Sequence, residues 1–199
     1  SLADTKISSV EGINQVPSLK KLDITNNKFV GIPTQIFQIS TLHELYLGPN
    51  DFNLSPIPTN IGALTELRLF ECPSCQLNGK IPNMISALSN LVSLNLEGNL
   101  MTGPLPEGIE ALQELSFLNL AGNYFDGELL SFRASAKLRR VDLSNNALSG
   151  SIPPEFMELV NSDFFEYLDL SDNSLDGTAP AILLSSKESP AASLPTSPG

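Results

Sequence analysis

The sequence predicts a solenoid of stacked coils in which each coil gives one short strand to a parallel β-sheet. Three observations predict this fold. Leu occurs 33 times and Asn 17 times, while Trp is absent. One pattern of Leu and Asn recurs seven times in tandem, with successive copies 23 to 27 residues apart. Within each copy, aliphatic residues alternate with other residues, as in a strand with one buried face.

The regular copies place apolar residues at fixed spacing before an Asn, which an apolar residue and often a Gly follow. A representative copy is Leu91-x-x-Leu94-x-Leu96-x-x-Asn99-x-Met101-x-Gly103. The third copy is irregular, because Cys75 takes the Asn position and three extra residues separate it from Leu69. We interpret these as an insertion at 72–75. Residues 2–7 fit the second half of an eighth copy.

The alternation also assigns a role to each residue type. In Leu94-Asn-Leu96 both leucines point inward, and the coils stack because no single coil can bury its own apolar side chains. The Asn lies where the chain leaves the strand, and its amide can donate to and accept from the unpaired backbone of the turn. We therefore predict an internal ladder of Asn27, Asn50, Cys75, Asn99, Asn123, Asn146 and Asn173.

A second motif follows the ladder residue and supplies a family resemblance. It is a Gly-x-Ile/Leu-Pro step, present as Gly79–Pro82, Gly103–Pro106 and Gly150–Pro153, with a variant at Gly177–Pro180. A unit of roughly 24 residues with this step resembles the plant-type leucine-rich repeats of receptor-like kinase ectodomains, receptor-like proteins and polygalacturonase-inhibiting proteins. The resemblance implies an α/β fold, a right-handed solenoid with its parallel sheet on the concave face. On the convex side it implies short helical or 3₁₀ turns, for instance near 85–88 and 109–112.

Composition limits the possible partners. The 199 residues carry 22 acidic and 11 basic side chains, a formal net charge of −11. This charge repels a phosphate backbone and anionic lipid, so we expect no nucleic-acid partner. No apolar run approaches the roughly 18 residues that cross a bilayer, so we expect no membrane insertion in this segment. The first residues, Ser1–Lys6, carry no signal-peptide pattern, which favours a mature or excised piece.

The domain prediction is a solenoid over residues 1–184 and a Ser/Pro-rich tail over 185–199. The tail cannot bury apolar surface, so it is a flexible linker, a stalk or a disordered end. Paired cysteines often cap the secreted members of the resembled families, and no such pairs flank the array here.

The cysteines and the histidine point to structural roles. Cys72 and Cys75 can close a small disulfide, with Cys75 at a ladder position. Redox chemistry lacks a thioredoxin-like context, and a metal would need more ligands than the single His43 can add. We expect His43 to be a solvated residue on the flank of its strand. No cofactor and no metal are predicted.

One pair of carboxylates deserves a chemical test. Asp142 and Asp169 occupy the same position in successive copies, and glycosidases use such a pair of carboxylates. Asp-Leu-Ser is, however, the common filler of the resembled repeats, and an open sheet offers no pocket that would raise a pKa. With one His and no Gly-rich phosphate loop, the sequence predicts that the chain is not an enzyme.

The remaining chemistry is recognition by side chains that point out from the strands. Aromatic and Arg residues are typical anchors of protein interfaces. They concentrate in the middle copies, where the sequence leaves the Asp-Leu-Ser filler. We predict a ligand-binding patch of Tyr46, Arg68, Phe70, Asn95, Glu97, Phe117 and Asn119.

The leading functional hypothesis is a module that binds a protein or peptide on its concave face. The resemblance implies the ligand-sensing part of a receptor-like kinase or receptor-like protein, extracellular or at the cell surface, with a co-receptor as a candidate second partner. One alternative is a secreted inhibitor of a cell-wall glycosidase, of the polygalacturonase-inhibiting type. The other is an intracellular scaffold. A cationic ligand would suit the acidic charge in each case.

Overall fold

The computed structural model describes residues 1–176, and this part of the chain is a stack of coils. One strand per coil forms a seven-stranded parallel sheet in the order β1-β2-β3-β5-β7-β9-β11. These strands are β1 (Lys21–Asp23), β2 (Glu44–Tyr46), β3 (Leu69–Glu71), β5 (Ser93–Asn95), β7 (Phe117–Asn119), β9 (Arg140–Asp142) and β11 (Tyr167–Asp169). The predicted α/β solenoid with a parallel sheet is confirmed. The last Gly-x-x-Pro step, the end of the predicted solenoid and the tail at 185–199 lie outside the described residues.

A second parallel sheet, which the sequence analysis did not predict, follows the ladder residues. Its order is β4-β6-β8-β10-β12. Its strands are β4 (Asn78–Gly79), β6 (Leu100–Pro104), β8 (Tyr124–Glu128), β10 (Ala147–Ser151) and β12 (Ser174–Asp176). The five coils from β3 onward thus contribute to two sheets, and backbone pairing between these coils continues beyond the concave face.

Short helical turns occupy the other side of the coils, as predicted. Most are 3₁₀ turns, at Ile13–Gln15, Thr34–Gln38, Thr59–Ala63, Asn83–Ala87 and Glu107–Ile109, and one is an α-helix, α1 (Pro154–Val160). The turns near 85–88 and 109–112 begin two residues earlier than predicted. The reason is the preceding proline: Pro82 and Pro106 precede the first turn residue with φ of −67° and −72°, so the turn starts directly after them.

The core is one continuous cluster of apolar side chains down the stack. Leu45, Leu94, Leu118 and Val141 are the central residues of their strands, and all are fully buried. The register places them in line, with Leu94 opposite Leu118 and Leu118 opposite Val141. Each coil therefore buries its apolar residues against its neighbours.

The register corrects the predicted alignment of the third coil. Phe70, rather than Leu67, pairs with Leu45 on one side and with Leu94 on the other. The motif of this coil is therefore Leu67-x-x-Phe70-x-Cys72-x-x-Cys75, with the same internal spacing as Leu91–Asn99. The predicted three-residue insertion at 72–75 was wrong, because Phe and Cys stand where the other coils have aliphatic residues.

Side-chain hydrogen bonds join the asparagines of the predicted ladder to the coils before them, and Asn99 is the most buried of these asparagines. The Nδ2 of Asn99 donates to the carbonyl oxygens of Cys72 and Leu96, both at 2.8 Å. Its Oδ1 accepts from the backbone N–H groups of Cys75 at 2.9 Å and Leu77 at 3.0 Å. Equivalent bonds to the preceding coil are made by Asn27, Asn50, Asn123, Asn146 and Asn173.

The third coil replaces the ladder amide with a covalent bond. Cys72 and Cys75 form a disulfide, and both residues are fully buried. In a regular coil, the amide of the ladder residue bridges to the carbonyl three residues earlier, and the disulfide joins these same two positions. The backbone N–H of Phe52, in the coil before, donates to the carbonyl oxygen of Cys75 at 3.1 Å instead of to an Asn side chain. The disulfide therefore closes the turn within this coil, while the contact with the preceding coil passes through the Cys75 carbonyl oxygen.

Candidate ligand-binding face

The concave face is formed by three columns of residues that alternate with the buried positions of the seven-stranded sheet. The first column is Lys21, Glu44, Leu69, Ser93, Phe117, Arg140 and Tyr167. The second is Asp23, Tyr46, Glu71, Asn95, Asn119, Asp142 and Asp169. The third, two residues further along each coil, is Thr25, Gly48, Pro73, Glu97, Ala121, Ser144 and Ser171.

The structure places five of the seven predicted site residues in these columns. They are Tyr46, Asn95, Glu97, Phe117 and Asn119. Whether they bind a ligand stays a prediction.

The other two predicted residues do not lie in the columns. Phe70 is fully buried in the core, so the expectation that its side chain faces a ligand was wrong. Arg68 is exposed but precedes β3, outside the three columns. Both errors come from the shifted alignment of the third coil. The residues that this coil actually presents are Leu69, Glu71 and Pro73.

The ammonium group of Lys21 is held between two side chains of the neighbouring strand β2. The Nζ of Lys21 lies 2.8 Å from Oε2 of Glu44 and 4.8 Å from the centre of the Tyr46 ring. The Tyr46 hydroxyl donates to the same carboxylate at 3.1 Å. The hydrogen bond from Lys21 lowers the pKa of Glu44, while burial and the hydrogen bond to Glu44 raise the pKa of Tyr46. This cluster fixes the Tyr46 ring on the face.

Glu71, in the next strand, is the most buried charged residue of the face, with 7% of its surface exposed. The Ser93 hydroxyl donates to its Oε1 at 2.7 Å. Burial raises the pKa of Glu71, and hydrogen bonds from Ser93 and Asn95 partly oppose that rise. Sequence reasoning missed Glu71 because the shifted alignment directed it elsewhere. The spacing from Leu67 to Cys75 was the signal that could have found it.

The following two coils present a polar and aromatic surface. The Nδ2 of Asn119 donates to Oε2 of Glu97 at 3.0 Å, which joins the second and third columns. Asn95 accepts the backbone N–H of Glu97 through Oδ1 at 3.1 Å, and this bond fixes its amide. Phe117 is half-buried beside them. The side chains are therefore held in place before any ligand arrives.

At Gly48, in the third column, the second coil lies very close to the third coil. A Cβ atom there would overlap the carbonyl oxygen of Pro73 and come within 2.7 Å of the Cys75 sulfur. Ala121, at the same position of another coil, carries a Cβ. The disulfide coil thus lies unusually close to its neighbour, and only glycine fits between them.

The carboxylates considered for catalysis are engaged in local hydrogen bonds. Asp142 and Asp169 pair in the register of β9 and β11. Each accepts bonds from the serine two residues on, and the Tyr167 hydroxyl lies 3.5 Å and 3.3 Å from their Oδ2 atoms. Burial and these two charges raise the pKa of Tyr167 to about 12. The arrangement stabilises turns and orients Tyr167, whose ring lies 5.6 Å from the Arg140 guanidinium.

The described part of the chain also bears on a metal site, on the environment of His43 and on a membrane-spanning helix. Within residues 1–176, no three His, Cys, Asp or Glu side chains gather as a possible metal site. His43 is half-buried beside β2, and its carbonyl oxygen accepts the backbone N–H groups of Arg68 and Leu69. None of the helices in the described part of the chain is long and apolar enough to span a bilayer.

Comparison with known proteins agrees with the fold and the ladder. The Leucine Rich Repeat family profile matches residues 18–39, 90–112, 137–159 and 164–185. No curated protein sequence matches the chain. Among solved structures, the Arabidopsis receptor kinase HAESA, in complex with the peptide hormone IDA and the co-receptor SERK1, is 36% identical with a TM-score of 0.76. That match covers 81% of this chain and 27% of HAESA.

Two further structures give similar values. A TDR receptor is 34% identical over 85% of this chain and 29% of its own, with a TM-score of 0.78. The plant peptide hormone receptor RGFR1, in complex with RGF2, is 29% identical over 86% of this chain and 31% of its own, with a TM-score of 0.70. The chain spans less than a third of each of these proteins. The repeats, the ladder and these matches show that the chain is a leucine-rich-repeat domain of the plant type, similar to part of a receptor-kinase ectodomain.

Proposed function

We propose that the chain is a recognition module that binds a peptide or protein ligand on its concave face. In this role it is the ligand-sensing part of a larger receptor-like kinase or receptor-like protein. The solved complexes of HAESA with IDA and of RGFR1 with RGF2 support a peptide as the ligand class. The presence of SERK1 in the HAESA complex supports a co-receptor as a second partner.

The observation that carries the proposal is the character of the face between β2 and β7. Tyr46, Asn95, Glu97 and Asn119 all make side-chain hydrogen bonds to neighbours on the face, so their positions are set in advance. Binding to such a surface costs little ordering of side chains. Tyr46 and Phe117 add the aromatic area that interface anchors typically provide.

The other roles follow from the same comparisons. We further propose that the chain lies outside the cell, because one similar solved structure is the LRR ectodomain of the receptor kinase HAESA, and that its role is binding rather than catalysis. The inhibitor and scaffold hypotheses are less favoured, because the receptors HAESA, TDR and RGFR1 are the similar structures.

The test is selection of binders from a random peptide library displayed on phage, with the purified chain as bait. We expect selected peptides whose affinity falls about 30-fold for Tyr46→Ala or Phe117→Ala, the loss typical of an interface anchor. Tyr124→Ala is the matched control, because Tyr124 is a 59% exposed aromatic in β8, outside the concave face. Far-UV circular dichroism verifies that each variant is folded. Selected peptides that bind all three variants equally, or no selected peptide at all, would contradict the proposal.

A further inference from the structure

Glu71 combines three properties that rarely occur together. It points out from the strand, because its neighbour Phe70 points into the core. It is nevertheless more than nine-tenths buried, with 7% of its surface exposed. Its hydrogen-bond donor is an uncharged group, the Ser93 hydroxyl, which donates to Oε1 at 2.7 Å. A carboxylate held this way keeps most of the cost of its removal from water.

No cation of the described residues compensates this charge. The ion pairs within residues 1–176 join Lys21 to Glu44, Lys137 to Glu114 and Arg139 to Glu166, and none includes Glu71. A buried carboxylate without a partner of opposite charge destabilises a fold, because hydrogen bonds from neutral groups replace only part of its hydration. Asp23, Asp142 and Asp169 occupy the same column, and each accepts the backbone N–H and the hydroxyl of the residue two positions on. Glu71 lacks these donors, because Pro73 has neither a backbone N–H nor a hydroxyl.

The neighbouring coil shows how this face holds a cation. Lys21 is bound between the carboxylate of Glu44 and the ring of Tyr46. Tyr46 lies directly opposite Glu71 in the register of β2 and β3. An aromatic ring beside a desolvated carboxylate is the pair of groups that attracts ammonium and guanidinium ions.

From this juxtaposition we propose that Glu71 is a specificity-determining residue that pairs with a cationic side chain, Arg or Lys, of the peptide ligand. The net charge of −11 favours approach of such a ligand. Glu97, exposed in the third column, extends the negative surface toward the next coil. The inference rests on the proposed function, since it names the chemistry of a ligand for the same face.

The first experiment uses the same phage library with wild-type chain and with Glu71→Gln as baits. Gln keeps the shape of Glu, replaces one carboxylate oxygen with an NH2 donor and removes the charge. We expect one Arg or Lys position to be enriched among wild-type binders and to lose its enrichment with Glu71→Gln. Glu155→Gln is the matched control, because Glu155 is an exposed carboxylate of α1 and its loss changes the net charge equally.

The second experiment replaces each Arg of a selected peptide with citrulline, or each Lys with acetyl-lysine, and measures affinity by calorimetry. We expect one replacement to weaken wild-type binding about tenfold or more, and to change binding to Glu71→Gln little. The affinities of the modified peptides for the wild-type chain remain informative even if Glu71→Gln folds poorly.

The outcomes separate the two claims. Binders that need Tyr46 and Phe117 but show no cationic preference, or that lose equal affinity with Glu71→Gln and Glu155→Gln, overturn the role of Glu71 and leave the proposed function intact. A peptide cation whose replacement has no effect on wild-type binding also overturns it. Failure to select any peptide for the face contradicts the proposed function and the pairing together.

Discussion

Replacing Asn99 with Ala should destabilise the domain far more than an ordinary Asn substitution. Asn99 is 3% exposed, and its Oδ1 accepts from the backbone N–H groups of Cys75 and Leu77, which are buried residues. Ala leaves both donors without an acceptor, and water cannot easily reach them. Each buried unsatisfied group costs about 1–3 kcal/mol, so the two N–H groups alone predict a loss of about 2–6 kcal/mol. That is a large fraction of the roughly 5–15 kcal/mol stability of a domain.

The assay is urea denaturation followed by far-UV circular dichroism, with Asn90→Ala as the matched control. Asn90 is exposed and donates a single bond to the Thr65 carbonyl oxygen at 2.9 Å, so its loss should cost about 1 kcal/mol or less. Amide hydrogen exchange supplies a local readout. The amides of Cys75 and Leu77 should exchange faster in Asn99→Ala, while the Met101 amide, which donates to Asn123, should change less. Equal losses for the two Asn variants, or unchanged exchange at Cys75 and Leu77, would refute the reasoning.

Three further predictions concern the third coil. Gly48→Ala should cost at least about 2 kcal/mol in urea denaturation, because the new methyl group overlaps the carbonyl oxygen of Pro73. Reduction of the Cys72–Cys75 disulfide should cost about 2 kcal/mol by the loop-closure estimate, and the double variant Cys72→Leu/Cys75→Asn, which restores the regular motif, should make stability insensitive to reductant. Folding raises the pKa of Glu71 above 4.5, so wild-type stability should fall as pH rises from 4.5 through the folded pKa, and Glu71→Gln should gain relative stability over that window.

The controls for these predictions use matched positions. Ala121→Gly removes a methyl group from the column that holds Gly48 and should cost only about 1 kcal/mol. If reductant lowers the stability of the double variant as much as that of the wild type, the loss does not come from the disulfide and the prediction is wrong. Glu155→Gln, on the exposed part of α1, should show a weaker pH effect than Glu71→Gln. The same pH profile for both Gln variants would disprove the assignment to Glu71.

The regular coils were predictable because their constraints are local. The spacing from Leu91 to Asn99 determines both the strand and the ladder contact, and each later coil repeats it. The predicted alignment of the third coil was wrong because Leu64, Leu67 and Leu69 have the spacing of the strand motif three residues too early. In the other coils the motif begins eight residues before the ladder residue. Counting back eight residues from Cys75 places the start of the motif at Leu67, which gives the observed register.

Other features could not be predicted from the sequence. The burial of Glu71 depends on side chains from neighbouring strands, such as Tyr46 and Ser93, which are 22 or more residues away in sequence. The second sheet forms by pairing between segments whose sequences show little of the alternation or composition typical of a strand. Residues 102–104 and 124–126, for example, pair across coils although each includes a Gly or Pro or several exposed side chains.

The asparagine contacts give the array a direction. Each Oδ1 accepts N–H groups from the coil before it, as Asn123 does for Met101 and Asn173 does for Leu148. Deleting a coil from the carboxyl-terminal side therefore strips acceptors from the coil that remains. Deletion from the amino-terminal side removes the accepted donors instead and leaves the next amide free to turn to water. Serial truncations should thus be asymmetric: removing coils from the carboxyl-terminal side should destabilise the newly terminal coil more than removing coils from the amino-terminal side.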